Sequence, residues 1–287
     1  MTHLHRKQHY FGCDELSASV GTSEIVHRIE IPDFGEGGKR QAITLCVANT
    51  ESERNSANML INRMYSWRGY GANHQVSAND HSTTFTASSE GRVIGTLTLA
   101  VDSEAGLALD GTFPQEMAEF RSRPGAKICE LTKFAFDTEA PSKPLLAALF
   151  HIIFIYGSHR HRCTDLFIEV NPRHCRFYEA MLGFKRVGSL KTNAAVNAPS
   201  QLLWLKVSDI RRNIDDHCAQ AVKDKRSLYP YFFSADEEIA IYTRLLGHPA
   251  NDLRPPEKEL PASVDGFLAC EFEAPASDVR SALAMGA

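Results

Sequence analysis

The apolar positions of the first half of the chain change between strand and helical periodicity. Residues 42–47 form a β-rich run, and apolar residues between 57 and 64 then recur at the spacing of one helical face. Two short strand patterns follow at 83–87 and 92–99, and the Ser-Glu-Gly segment between them is typical of a hairpin. Residues 127–136 alternate as in a central strand, so the polar side chains among them require a cavity.

The second half continues this sheet through a crossover connection. Residues 142–157 predict a buried helix, with a Ser cap and a Pro in the first turn, and a strand pattern follows at 165–170. A strand, helix, strand order makes the two strands parallel. A short helix at 173–182 and a strand at 201–207 complete an α+β domain in which a sheet is flanked by helices.

The patterns divide the chain into three parts. Residues 1–38 lack sustained periodicity and predict an N-terminal arm, residues 39–208 predict the folded domain, and residues 209–287 predict a helical extension with a Pro-rich tail. The aromatic segment 229–233 is suited to packing on the domain. The sequence leaves the role of the extension and the oligomeric state open.

Composition excludes several classes of partner and compartment. The chain has 31 Lys and Arg against 35 Asp and Glu, and a net charge of −4 predicts neither nucleic acid nor an anionic membrane surface as a partner. No stretch approaches the roughly 20 apolar residues of a membrane span, and the first residues lack the apolar core of a secretory signal. Seven Cys at scattered positions, without a CxxC pair, favour a reducing compartment, and we expect the cytoplasm.

The stretch 169–184 carries a motif with a family resemblance. It resembles the late strand, helix and strand signature of the GNAT acyltransferases, through Asn171-Pro172, Phe177-Tyr178 and Leu182-Gly183-Phe184. The resemblance implies a GNAT-type, mostly antiparallel mixed sheet whose strands splay apart before this motif and hold an acyl thioester in the gap. It also implies that Tyr178 protonates the leaving thiolate.

A second resemblance concerns the central strand. Residues 130–135, Glu-Leu-Thr-Lys-Phe-Ala, are similar to a strand of the acyl-homoserine-lactone synthases and the related N-acyl amino acid synthases, and 95–107 resemble the latter in particular. This resemblance, over about residues 41–208, implies transfer of a long-chain acyl group from acyl carrier protein to the amine of an amino acid. Lys133 stands where the lactone synthases usually carry Arg, so lactone formation is the runner-up.

The segment before the central helix also bears on the acyl donor. Acetyl-CoA enzymes of the GNAT type carry a Gly-rich loop there, whose N–H groups cradle the CoA pyrophosphate. Residues 137–144 contain no Gly and two Pro, which lack the N–H donor. An acyl-phosphopantetheine arm has one phosphate and needs fewer donors than a pyrophosphate. The predicted helix start, with Ser142 and Lys143, therefore favours acyl carrier protein over acyl-CoA as the source of the co-substrate.

Amide formation from a thioester needs a base, a polarised carbonyl and a proton for the thiolate. Glu130 is the candidate base, because a central strand desolvates it and raises its pKa; the alternative is a structural ion pair with Lys133 or Arg68. Tyr178, the candidate acid, is equally typical of a core residue. Candidates for substrate binding are Arg63, Arg68 and Lys133, which suit an acceptor carboxylate, together with Thr132, Phe134 and Asn171.

Other chemistry is less well supported by the residues. His159, His161, Cys163, His174 and Cys175 match no familiar metal-site spacing, so no metal is expected. Cys129 and Cys175 are expected to be buried small hydrophobes rather than nucleophiles. Two alternatives to the synthase stay open: an acetyl-CoA-dependent N-acetyltransferase, and a protein that binds an acyl carrier without turnover.

Overall fold

The computed structural model describes residues 25–32, 40–76, 79–137, 141–218, 226–246 and 267–270. Most of the predicted arm and the Pro-rich tail lie outside these residues. The strands are β1 Ile25–Pro32, β2 Arg40–Val47, β3 Ser82–Ser89, β4 Arg92–Val101, β5 Ile128–Phe136, β6 Asp165–Val170, β7 Lys185–Asn193, β8 Ala198–Lys206 and β9 Phe267–Cys270. The α-helices are α1 Glu51–Trp67, α2 Pro114–Arg121, α3 Lys143–Ile155, α4 Cys175–Leu182, α5 Val207–Cys218 and α6 Ala235–Leu246.

All nine strands belong to one open mixed sheet in the order β1-β2-β3-β4-β5-β6-β8-β7, with β9 paired to β5 off this path. Neighbours are antiparallel except that β6 and β9 run parallel to β5. The crossover between β5 and β6 is α3, as the sequence predicts. The predicted α+β, GNAT-type mixed sheet with flanking helices is therefore the fold of this chain.

The structure extends the sheet beyond the predicted domain. Residues 25–32, which the sequence assigns to an arm, form β1 and pair along β2, because Val26 and Ile31 turn apolar side chains into the core. The irregular insert before β5 contains α2, which Pro114 begins and which buries Met117 and Phe120.

The main core lies between the sheet and α3, every residue of which is buried from Leu145 to Ile155. The chain after residue 208 shares this core, because Ile214 of α5, Tyr229, Phe233 and Ile241 of α6 are buried in it. The predicted packing of the aromatic segment on the domain is therefore confirmed. A smaller core on the opposite face of the sheet joins Ile128 and Phe167 to α2. That face carries the site described next.

Candidate active site

Strands β5 and β6 separate after a short parallel contact. Only Ile128 with Asp165 and Cys129 with Leu166 are paired. From Glu130 onward the edge of β5 pairs instead with β9, in the parallel sense, as far as Phe134. The two strands thus diverge at Glu130, which is the wedge that the resemblance implies, and β9 occupies the edge of β5 that the divergence leaves.

A cavity of about 410 Å³ opens at this divergence. Its walls come from β5, the end of β6, the loop after α1, the segment around Leu107 and the β7–β8 hairpin. The polar residues that line it are Tyr65, Tyr70, His74, Ser82, Glu130, Thr132, Lys133, Glu169, Asn171, Asn193 and Ser200. Ala195, Val196, Ala198 and Pro199 of the hairpin supply an apolar side. A cavity of this size suits a small-molecule acceptor.

Glu130 lies at the base of the cavity and is only 2% exposed. Its two carboxylate oxygens accept the backbone N–H groups of Ala108 at 3.1 Å and Leu109 at 3.3 Å, at the start of a 3₁₀ helix. Burial raises the pKa of Glu130 to about 7, although these two hydrogen bonds and Lys133 act to lower it. A carboxyl group with a pKa near neutrality is matched to proton transfer at physiological pH.

A β-bulge at Lys133 directs the residues next to Glu130. Lys133 has φ +53°, and the pairing of β4 with β5 shifts between Thr96 and Thr98. The hydroxyl of Thr96 donates to the carbonyl of Lys133 at 2.7 Å, which holds the extra residue in place. Thr132 lines the cavity by strand alternation, on the same face as Glu130. The bulge adds Lys133 to the lining and turns Phe134 into the main core against Phe150.

Glu169, on β6, contributes a second carboxylate to the cavity. It is 4% exposed, and its Oε1 accepts the amide of Asn193 at 2.7 Å and the hydroxyl of Ser200. Both donors lie next to the turn of the β7–β8 hairpin, Asn193 at the end of β7 and Ser200 near the start of β8. The hairpin therefore covers the site and orients Glu169.

The structure places the remaining candidates as follows. Arg63 is exposed and forms an ion pair with Asp137, so it does not line the cavity. Arg68 donates to the carbonyl of Met64 at 3.0 Å and stacks over Trp67, also away from the cavity lining. Asn171 does line the cavity while its side chain accepts the N–H of Arg173.

Three further candidates lie outside the cavity wall. Tyr178 is fully buried in the main core, with its ring edge-on to Phe184, so the structure does not bring it to the cavity. Ser142 caps α3 by accepting the N–H of Leu145 at 3.4 Å, and Lys143 is the first residue of that helix. The roles proposed for all three stay predictions.

Sequence reasoning did not select Glu169, the hairpin or the aromatic group Tyr65, Tyr70 and His74 as site residues. One signal was available for Glu169. It follows the apolar run Leu166 to Ile168 of β6, on the same face as Phe167, which indicates a carboxyl group inside the fold near the end of a strand.

No group of three or more His, Cys, Asp or Glu within the described ranges is arranged to hold a metal ion. Across those same ranges, no helix has the length and apolar character needed to cross a membrane. Cys46, Cys129, Cys163 and Cys175 are buried and unlinked.

Solved structures of known proteins are similar to this chain. The structure of FeeM, an N-acyl amino acid synthase from uncultured soil microbes, superposes with a TM-score of 0.52 at 27% identity over 59% of this chain and 93% of that one. The acyl-homoserine-lactone synthase LasI gives a TM-score of 0.44 at 14% identity, over 58% of this chain and 91% of LasI. The GNAT domain of S. lividans PAT gives a TM-score of 0.40 at 13% identity, over 62% of this chain and 96% of that domain.

A search of curated protein sequences gave no significant match. The family profile described as N-acyl amino acid synthase FeeM matches residues 56–206, more than half of the chain and all of the segment that builds the wedge. The chain therefore belongs to the FeeM family of N-acyl amino acid synthases and is an acyltransferase.

Proposed function

We propose that this protein joins a long-chain acyl group, carried as a phosphopantetheine thioester on acyl carrier protein, to the amine of an amino acid. The observation that carries the proposal is the position of Glu130. A nearly fully buried carboxyl group with a pKa of about 7 faces a small cavity at the point where two parallel strands part. Membership of the FeeM family supports the same reaction class.

The reaction balances with one base and one released proton. An amino acid enters mainly as the ammonium form and gives one proton to Glu130, which passes it to solvent. The neutral nitrogen attacks the thioester carbonyl, a C–N bond forms and the C–S bond breaks. The second nitrogen-bound proton ends on the departing thiolate, and the resemblance nominates Tyr178 as the group that transfers it.

The start of α3 supports a donor with a single phosphate. Pro144 has no N–H, and the N–H of Leu145 is already bound by the cap residue Ser142. The first turn therefore offers few of the backbone donors that hold a pyrophosphate at a helix N-terminus. Lys143 at the first helical position supplies a positive charge for the one phosphate of a phosphopantetheine arm.

Lys133 is the cation best placed to bind the carboxylate of the acceptor. It lines the cavity beside Thr132, whereas Arg63 and Arg68 do not. A charge-assisted hydrogen bond from Lys133 would distinguish amino acids from simple amines.

Incubation of the purified protein with long-chain acyl carrier protein and a panel of amino acids tests the proposal. Mass spectrometry is expected to detect an N-acyl amino acid, and Glu130→Gln is expected to reduce its rate by about 10²-fold or more. Glu119→Gln, which changes an exposed carboxylate paired with Arg123, is the matched control and retains the rate. No product with any amino acid, or full activity in Glu130→Gln, would contradict the proposal.

Two donors tested in parallel separate the alternatives. Turnover with acetyl-CoA but not with acyl carrier protein would identify an N-acetyltransferase. Binding of acyl carrier protein without any product would identify a non-catalytic binder, and a lactone product with S-adenosylmethionine as the acceptor would identify the lactone synthase reaction.

A further inference from the structure

We propose that Glu130 and Glu169 form a cation subsite that holds the ammonium group of the acceptor in this cavity before its deprotonation. This inference rests on the proposed function and names how the acceptor is recognised. It assigns Glu169 a direct contact with substrate.

The topology places both carboxylates on one side of the divergence. Ile128 pairs with Asp165, and side chains on a strand alternate between faces, so Glu130 and Glu169 lie on the same face as that pair. The backbone pairing of β5 with β6 ends at Cys129 and Leu166, so only the shared face of the sheet relates Glu130 to Glu169 beyond that point. Both residues line the one cavity, Glu130 from its β5 side and Glu169 from its β6 side.

The hydrogen bonds of Glu169 leave one oxygen for a ligand. Asn193 and Ser200 both donate to Oε1. Within the described residues no hydrogen bond or ion pair involves Oε2, and this atom is not among the fully buried polar atoms that lack a partner. The Oε2 atom therefore faces the cavity, where a donor from a bound molecule can reach it.

The electrostatics of the pair favour a cation. Two carboxylates that share a low-dielectric site repel one another, and the charge of Glu169 is one of the causes that raise the pKa of Glu130. None of the ion pairs found among the described residues includes Glu169 or Glu130. An ammonium group bound between them relieves this repulsion and supplies the donor that Oε2 lacks.

The subsite also explains how proton transfer is ordered. Glu169 is held by two neutral donors and keeps the nitrogen in place, while Glu130 accepts the proton. The subsite selects a protonated amine over an uncharged nucleophile, such as the hydroxyl of a hydroxy acid. Lys133, in the same cavity, receives the carboxylate, so the site as a whole fits a zwitterion.

The inference is tested with the amino acid that gives the most product in the panel. Glu169→Gln keeps the side-chain shape, and it is expected to raise KM for that amino acid about tenfold or more while KM for the acyl carrier protein stays unchanged. The hydroxy-acid analogue of that amino acid is used as a competitive inhibitor. Comparing its inhibition constant with KM for the amino acid measures the preference for the ammonium group. Wild type is expected to bind the amino acid better than the analogue, and Glu169→Gln is expected to lose that preference.

Three outcomes are distinguishable. An active wild type whose acceptor KM and preference survive in Glu169→Gln overturns the inference and leaves the proposed function standing. An inactive wild type contradicts the proposed function itself. If Glu169→Gln does not fold, Glu169→Asp replaces it: the subsite predicts a raised acceptor KM with the ammonium preference retained, and an unchanged KM overturns it.

Discussion

The hydroxyl of Thr96 on β4 donates to the main-chain carbonyl of Lys133 on β5, at 2.7 Å. This bond fixes a residue with positive φ at the point where β5 changes register against β4. Lys133 faces the cavity beside Thr132 because of it. The geometry of the site thus depends on a neighbouring strand that contributes no catalytic group of its own.

Thr96→Val removes this donor with little change of shape. Thr96 is fully buried, so we expect the free energy of unfolding to fall by about 1–2 kcal/mol and kcat to fall severalfold as the bulge relaxes. Urea unfolding and steady-state kinetics measure the two effects. Thr84→Val, which breaks the buried Thr84–Thr98 hydrogen bond but leaves the bond from Thr96 to Lys133 intact, is expected to cost stability without the loss of kcat.

Glu130 is expected to make stability depend on pH. Its pKa is raised from 4.5 to about 7 in the folded state, so the unfolded chain releases the proton first as the pH rises. Wild type should therefore lose up to about 3 kcal/mol of unfolding free energy between about pH 4.5 and 7.5 through this group. Burial also raises the pKa of Asp165 to about 7. Because Asp165 is present in both proteins, the difference in unfolding free energy between wild type and Glu130→Gln isolates the contribution of Glu130. Parallel stability profiles would contradict it.

Lys133→Asn tests the acceptor carboxylate contact. Asn tolerates positive φ, so the variant removes the cation without straining the bulge. We expect KM for the amino acid to rise about tenfold or more, since a hydrogen bond to a charged group contributes about 1.5–3 kcal/mol. Arg63→Gln, outside the cavity, should leave KM unchanged, and the reverse result would place the carboxylate at Arg63.

Glu238 on α6 connects the extension to the domain. Burial acts to raise its pKa, but the nearby rings of His151 and His159, each 3.6 Å away, and the hydrogen bonds from Arg211 outweigh burial, so its pKa is lowered. Its stabilising contribution is therefore present above about pH 4.5 and is lost as the pH falls toward the folded-state value. Glu238→Ala should cost about 2–4 kcal/mol at pH 7.5, because it leaves buried partners without their carboxylate. Thermal unfolding of Glu238→Ala measures this cost, with Asp236→Asn, which changes an exposed carboxylate on the same helix, as the control.

Strand β9 is expected to compete with the acyl donor. It pairs with β5 along the edge where the resemblance places the thioester arm. Ala269→Pro removes an N–H from this pairing and should lower KM for acyl carrier protein severalfold, whereas Ala269→Val, which keeps the N–H, should not. An unchanged KM in both variants would show that the arm binds without displacing β9.

The sequence predicted the elements that have a sustained apolar pattern and missed those that lack one. The bounds of β6 and the parallel crossover were readable because every residue of β6 is apolar or enclosed. Strand β7 is largely exposed and polar, and α2 is a single short helix, so neither produced a periodic apolar signal.

The site was predicted only in part, for a related reason. Four cavity residues were predicted because they belong to motifs that are local in the sequence: Glu130, Thr132, Lys133 and Asn171. The bulge could not be predicted, since Lys has no preference for positive φ, and Glu169 required the pairing of distant strands to be known.

The β7–β8 hairpin has a consequence for how specificity diverges. Its turn region, residues 194–197, lies at the outer edge of the sheet, where changes in loop length leave the interior intact. Yet Ala195 and Val196 form part of the acceptor wall. A change in the length or composition of this loop is therefore expected to alter which acceptor the proposed site takes, while the strands of the sheet keep their packing.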